Sequence, residues 1–182
     1  MLKTILLPLV LLILLFVGFK PVNTPEPSND NFCDKLKNLL ESSRQGFSSV
    51  KGEAVERMIT GNKKKFFISK VRFTGEHECY LNDSEAYPEC ECILATDRTI
   101  TEQLTRQYED FTNVIISCLP TGYTMTEQDS TNNFYLKGTK FKKYVVQEQE
   151  GEQKVRFHLY MYSSMIEKKR VVELKIEGIG KK

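Results

Sequence analysis

Residues 155–163 alternate without a break. Val155, Phe157, Leu159 and Met161 hold one parity, and Arg156, His158, Tyr160 and Tyr162 hold the other. A β-strand turns successive side chains to opposite faces, so this run has one packed face and one wet face. Arg170–Ile179 repeats the pattern, with Val172, Leu174 and Ile176 set against Glu173, Lys175 and Glu177. Such neighbours demand an antiparallel sheet with one face on a core and the other in water. Phe141–Gln147 and Asn133–Leu136 supply the remaining strand signals of this last third.

Upstream, Phe66–Phe73 is dense in aromatic and β-branched residues, with Phe67, Val71 and Phe73 expected on one face and Lys70 and Arg72 on the other. Glu78–Leu81 and Glu89–Ala95 read as a strand pair joined by the turn-rich 82–88 segment. Gly61-Asn62-Lys63-Lys64-Lys65 lacks the glycine and hydroxyl positions of a phosphate loop and reads as a basic turn.

Two helices complete the pattern. Asp30 is the expected N-cap of the first, which runs to about Ser43. Phe32, Leu36, Leu39 and Leu40 form its apolar stripe and Gly46 its stop. Thr99-Ile100-Thr101-Glu102 has the form of a capping box, followed by Ile100, Leu104, Tyr108, Phe111, Ile115 and Cys118 at helical spacing. The order α-β-β-β-α-β-β-β predicts an α+β fold, a two-layer sandwich in which both helices cover one face of an antiparallel sheet.

The N-terminus sets the compartment. After Lys3 the run Ile5–Phe19 carries no charge, the pattern of a signal-peptide core. As a helix it spans roughly 22 Å at ~1.5 Å per residue, short of a ~30 Å hydrocarbon layer. Residues 1–19 are therefore expected to be a removed signal. A short N-terminal anchor is the alternative, because no clean pair of small residues marks a cleavage site. Residues 20–29, with Pro21, Pro25 and Pro27, form a proline-rich tether, and 30–182 a single domain. The chain is expected to be periplasmic, secreted or anchored, touching membrane only through an uncleaved leader.

For an exported chain, cysteines read first as disulfide candidates. If Leu81 pairs with Cys90, then Cys79 faces Cys92 across the ladder. Cys33 and Cys118 would tie the two helices, a long-loop closure worth about 4 kcal/mol. That leaves Cys90 unpaired, or competing with Cys92 for Cys79. The alternative is a zinc-type or redox site made of His77, Cys79, Cys90 and Cys92, at odds with an oxidising compartment and with the two-residue spacing of zinc knuckles.

Without Lys3 and Lys20, 24 basic residues balance 24 acidic ones, so the phosphate-binding excess of a nucleic-acid partner is missing. The charge is nevertheless segregated. Residues 51–75 carry seven basic and two acidic side chains, 76–129 two and twelve, and 130–182 twelve and six. Segments of opposite sign are expected to pair locally, or to steer a charged partner. No nucleophile, base and oxyanion donor share a recognisable motif, and the Glu89/Glu91 pair reads as a solvated face. His158 is expected at the surface. The outward strand face should carry Tyr144, Arg156, His158, Tyr160 and Tyr162 with Lys175, residue types that anchor interfaces. The expectation is a non-enzymatic binding domain for a protein or envelope component, without a cofactor. The alternative is the metal- or redox-responsive module.

Phe32-Cys33-Asp34-Lys35-Leu36, Gly46-Phe47 with Lys51-Gly52, and Cys118-Leu119 closing the second helix carry a resemblance. In these segments the chain resembles small exported bacterial proteins of unknown role whose first helix bears a cysteine. Its element order is similar to the type III secretion chaperone-like layout. That likeness implies an α+β fold and assigns no activity.

Overall fold

A computed structural model describes residues 29–59, 61–128, 142–149, 154–164 and 168–180. The expected leader 1–19, all of the tether but Asn29, and the strand at 133–136 lie outside the described residues. Two helices and eight strands follow in order: α1 (Asn29–Ser43), β1 (Lys51–Ile59), β2 (Asn62–Ser69), β3 (Cys79–Asn82), β4 (Glu89–Asp97), α2 (Glu102–Cys118), β5 (Tyr123–Gln128), β6 (Lys142–Glu148), β7 (Arg156–Ser164) and β8 (Lys169–Glu177). A short 3₁₀ turn, Ser48–Val50, leads into β1. The fold is α+β, with every strand pair antiparallel in one sheet of order β1-β2-β3-β4-β8-β7-β6-β5.

That order reads the same from either edge. Each half is a helix followed by a four-stranded meander, and the last strands of the two halves, β4 and β8, pair along the centre. The helices contact one another, α1 also contacts β8, and α2 also contacts β4. Two halves of like connectivity therefore share one sheet.

The element order is a correction to the expected three strands before the second helix and three or four after it, since β1 and β5 were not foreseen. Both are edge strands. In β1, Glu53, Ala54, Glu56 and Met58 are exposed, and in β5 four of six residues are. A strand paired on one side with little buried surface has no strong apolar alternation to read. The expected basic turn also shifts, because Gly61 turns at φ +82° while Asn62–Lys65 already pair in β2. Strand β2 ends at Ser69, so Val71 and Phe73 enter the core from the segment beyond it.

Helix α1 includes Asn29, which places Asp30 inside the first turn instead of capping it. Its stripe Phe32, Leu36, Leu39 and Leu40 is buried as expected. The helix stops where Gly46 (φ +60°) and Phe47 (φ +63°) both turn left-handed, and the Phe47 amide donates to the Ser42 carbonyl at 2.8 Å. In α2 the cap is Thr101, not Thr99: Thr101 Oγ1 accepts from the Leu104 amide at 3.1 Å and donates to Asp97 at 2.7 Å. Asp97 thereby fixes the cap hydroxyl, and this bond with the Arg98 amide holds its carboxyl below the ordinary range.

Residues directly opposite in a ladder share a face. Tyr144, Leu159, Leu174, Cys92 and Cys79 form one such row, and Val146, Phe157, Ile176, Cys90 and Leu81 the next. These rows join Leu36, Leu39, Leu104, Tyr108 and Ile115 of the helices in one buried cluster. Phe32 packs on Phe73 (4.6 Å between ring centroids), and Tyr108 stacks on Tyr144 at 5.9 Å. Such pairs add about 0.5–1.5 kcal/mol each beyond the area they bury.

Candidate functional site

The register brings four of the five expected binding residues together. Arg156, His158, Tyr160 and Tyr162 occupy one parity of β7, on the sheet face opposite the core rows. Tyr144 is a correction. It pairs with Leu159, and its ring stacks on Tyr108, so it belongs to the core side. Lys175, directly opposite His158, joins the row.

The same face carries carboxylates, Tyr80 and Arg57, which were not among the expected binding residues. Reading across the strands, His158 is followed by Lys175, Glu91 and Tyr80; Arg156 by Glu177 and Glu89; and Tyr160 by Glu173. Arg57 of β1 reaches in from the far half, 3.8 Å from Glu91 and over the Tyr80 ring at 4.0 Å. The signal was present in Glu89-Cys90-Glu91-Cys92, whose alternation puts the carboxylates on the face away from the sulfurs. Read as solvated, they are instead paired: Lys175 Nζ lies 2.9 Å from Glu89 and 3.7 Å from Glu91.

His158 is a second correction, because it is 5% exposed instead of lying at the surface. It sits between β6 and β8, its ring stacked on Tyr160 at 5.4 Å, with Nε2 2.7 Å from Glu177 Oε1. Its buried Nδ1 has no hydrogen-bond partner among the described residues. The His158 hydrogen bond, with Arg156 and Lys175 nearby, holds the Glu177 carboxyl below its ordinary range.

Glu173 behaves in the opposite way. It is 9% exposed, and burial, reinforced by the Glu91 charge, pushes its pKa up to about 7. The Tyr162 hydroxyl donates to it. Burial likewise raises the phenols of Tyr160 and Tyr162. Burial disfavours the Lys175 ammonium, but the Glu89 hydrogen bond and the neighbouring carboxylates outweigh it and its pKa is raised. Tyr160 meets Tyr162 edge-on at 6.1 Å, with Lys143 Nζ 5.4 Å from its centroid. The result is an aromatic ladder of His158, Tyr160 and Tyr162 bordered by ion pairs.

The sulfurs lie on the other face. Cys33 and Cys118 are joined across α1 and α2, and Cys79 and Cys92 across β3 and β4, in the register expected from the sequence. Paired cysteines of this kind belong to an oxidising environment. Cys90 is free and buried, with Sγ 3.7 Å from Cys92 Sγ, and burial pushes its thiol pKa far up. In the alternative ligand set, Cys79 and Cys92 are bonded to each other, and the His77 amide donates to Thr74 in the loop before β3. Among the described residues no group of three or more His, Cys, Asp or Glu is arranged to hold a metal ion. No helix of the described residues is long and apolar enough to cross a membrane.

A cavity of about 490 Å³ opens at the β5–β6 end of the sheet, lined by Thr124, Thr126, Gln128, Val145, Gln147, Glu148, Gln149 and Lys154. Val145 is the direct partner of both Thr126 and His158, and Gln147 that of Thr124 and Arg156. The cavity wall and the β7 row are therefore continuous on one face. No protein-family model, curated protein or solved structure matches the chain.

Proposed function

We propose that this chain is an exported, non-enzymatic binding domain that recognises a protein or envelope component through the sheet face bearing Arg156, His158, Tyr160 and Tyr162. In this reading the fold is a two-layer sandwich, with both helices on the core face and the opposite face left to the ligand. Residues 1–19 act as the export signal or anchor. The likeness to small exported bacterial proteins belongs to the same reading.

One observation carries it: the face opposite the core is neither apolar nor simply solvated, but a braced array. Tyr160 is held between the His158 ring and Lys143, Tyr162 is fixed on Glu173, and His158 on Glu177. Rigid aromatic and guanidinium groups lose little entropy on binding, which is why they serve as anchors. The redox alternative rests on the 3.7 Å approach of Cys90 to Cys92. A thiol whose ionisation is suppressed by burial is a poor nucleophile, which weighs against it.

The test replaces Arg156 at the rim and Lys143 over the Tyr160 ring, and leaves the rings themselves in place. Arg156→Glu with Lys143→Glu is expected to weaken association with the native envelope fraction at least tenfold, with the melting temperature little changed. Unaltered association in a folded double variant would remove the site from this face.

A further inference from the structure

The cavity between β5 and β6 has a chemistry different from that of the β7 row beside it. Thr124, Thr126 and Gln128 stand at every second position of β5, with Gln147 on β6 and Gln149 just beyond it. Each of these five side chains offers both a donor and an acceptor. None makes a hydrogen bond to another described side chain. The lining charges are Glu148 and Lys154. Glu148 is already committed, accepting from Arg44 and from the Val155 amide at 3.3 Å. Burial works to raise the Glu148 pKa, and those two donors more than offset it. Val145 is the single aliphatic side chain in the described lining.

That composition decides the class of ligand. An anion such as a phosphate needs several cations or convergent amides, and the described lining brings one lysine. An apolar ligand needs apolar walls. A peptide strand adds along a free sheet edge, whereas this groove lies over the side chains of β5 and β6, whose main chains are paired with one another. A neutral ligand dense in hydroxyl groups meets each requirement, since hydroxyls pair equally with amides and hydroxyls and the C–H face of a sugar rests on an apolar side chain such as Val145.

We infer that this groove binds a short neutral glycan segment. The inference rests on the reading that this sheet face is the binding face, and it names the ligand class there. A glycan lying along β5 and β6 runs toward Arg156 and His158, the partners of Gln147 and Val145 in the next strand.

The test is a ¹H–¹⁵N titration of the exported chain with chitotriose, cellotriose and maltotriose at millimolar concentration. At least one is expected to shift the amides of Thr124, Thr126, Val145 and Gln147. Thr126→Val with Gln147→Leu is expected to weaken that binding about tenfold or more, the scale of one or two hydrogen bonds. No shift with any of the three, or shifts that persist in the double variant, would overturn the assignment. Failure here with a positive Arg156 and Lys143 result would discard the glycan and keep the face. Shifts produced by an extended peptide instead would move the ligand to the protein class.

Discussion

The Tyr162 hydroxyl donates to Glu173 on the sheet face opposite the core, beside Glu91 on the neighbouring strand. The carboxyl is nearly buried, and its pKa rises from 4.5 to about 7. A group whose folded pKa is raised favours the folded state fully below its unfolded pKa, and that contribution is lost as pH rises through the folded value. A rise of this size corresponds to about 3 kcal/mol. The native protein should therefore lose stability between about pH 5 and pH 8, and Glu173→Gln should remove most of that loss. Urea unfolding of both proteins across this window checks the sign. A wild-type curve that gains stability with rising pH relative to the variant would contradict it.

The two disulfides should differ in what their removal costs. Cys33–Cys118 closes 85 residues and ties α1 to α2, whereas Cys79–Cys92 spans 13 within one hairpin. In the chain-entropy picture these are worth about 4 and about 3 kcal/mol. Cys33→Ala with Cys118→Ala is expected to lower stability by the larger amount in denaturant unfolding. Cys90 should resist iodoacetamide in the folded protein and react once unfolded, giving one alkylated thiol and two intact bridges by mass spectrometry. Rapid alkylation of the native form would show that its burial is misplaced.

Gly178 closes the core at the end of β8. A Cβ there would stand 2.7 Å from the Phe47 ring and 2.9 Å from Pro88 Cγ, where the Gly178 amide already donates to the Pro88 carbonyl at 2.8 Å. Gly178→Ala should cost about 1–3 kcal/mol by overpacking. Gly75→Ala, with nothing within 4 Å, should stay within about 0.5 kcal/mol. Equal melting temperatures for the two variants would contradict this packing.

The parts of the fold legible in the sequence are those where burial is one-sided and strong. Leu159, Leu174 and Ile176 alternate with polar neighbours because β7 and β8 are central strands with one face on the core, and the register of Cys79 with Cys92 followed from the same parity. The edge strands β1 and β5 escaped, since an edge is stabilised by backbone pairing to one neighbour and leaves its side chains free to be polar. Tyr144 was misplaced by one residue of parity. Tyr144-Val145-Val146 is apolar on both parities, so only its pairing with Leu159 tells which side the ring takes. His158 departs from the expectation because the stripe of Arg156, Tyr160 and Tyr162 looks solvated, whereas His158 itself is buried between β6 and β8 against Tyr160 and Glu177. The contribution of Arg57 depends on a contact between β1 and β4, with two strands between them in the sheet, and no local pattern carries that.

Recognition through the sheet face is tested most directly by site-specific photo-cross-linking in the native envelope. A photoreactive residue replaces Lys143 or Arg156 on the proposed face, or Arg106 on the exposed side of α2. A discrete adduct is expected from positions 143 and 156 and none from 106. Adducts from 106 alone, or identical patterns from all three, would contradict recognition through this sheet face.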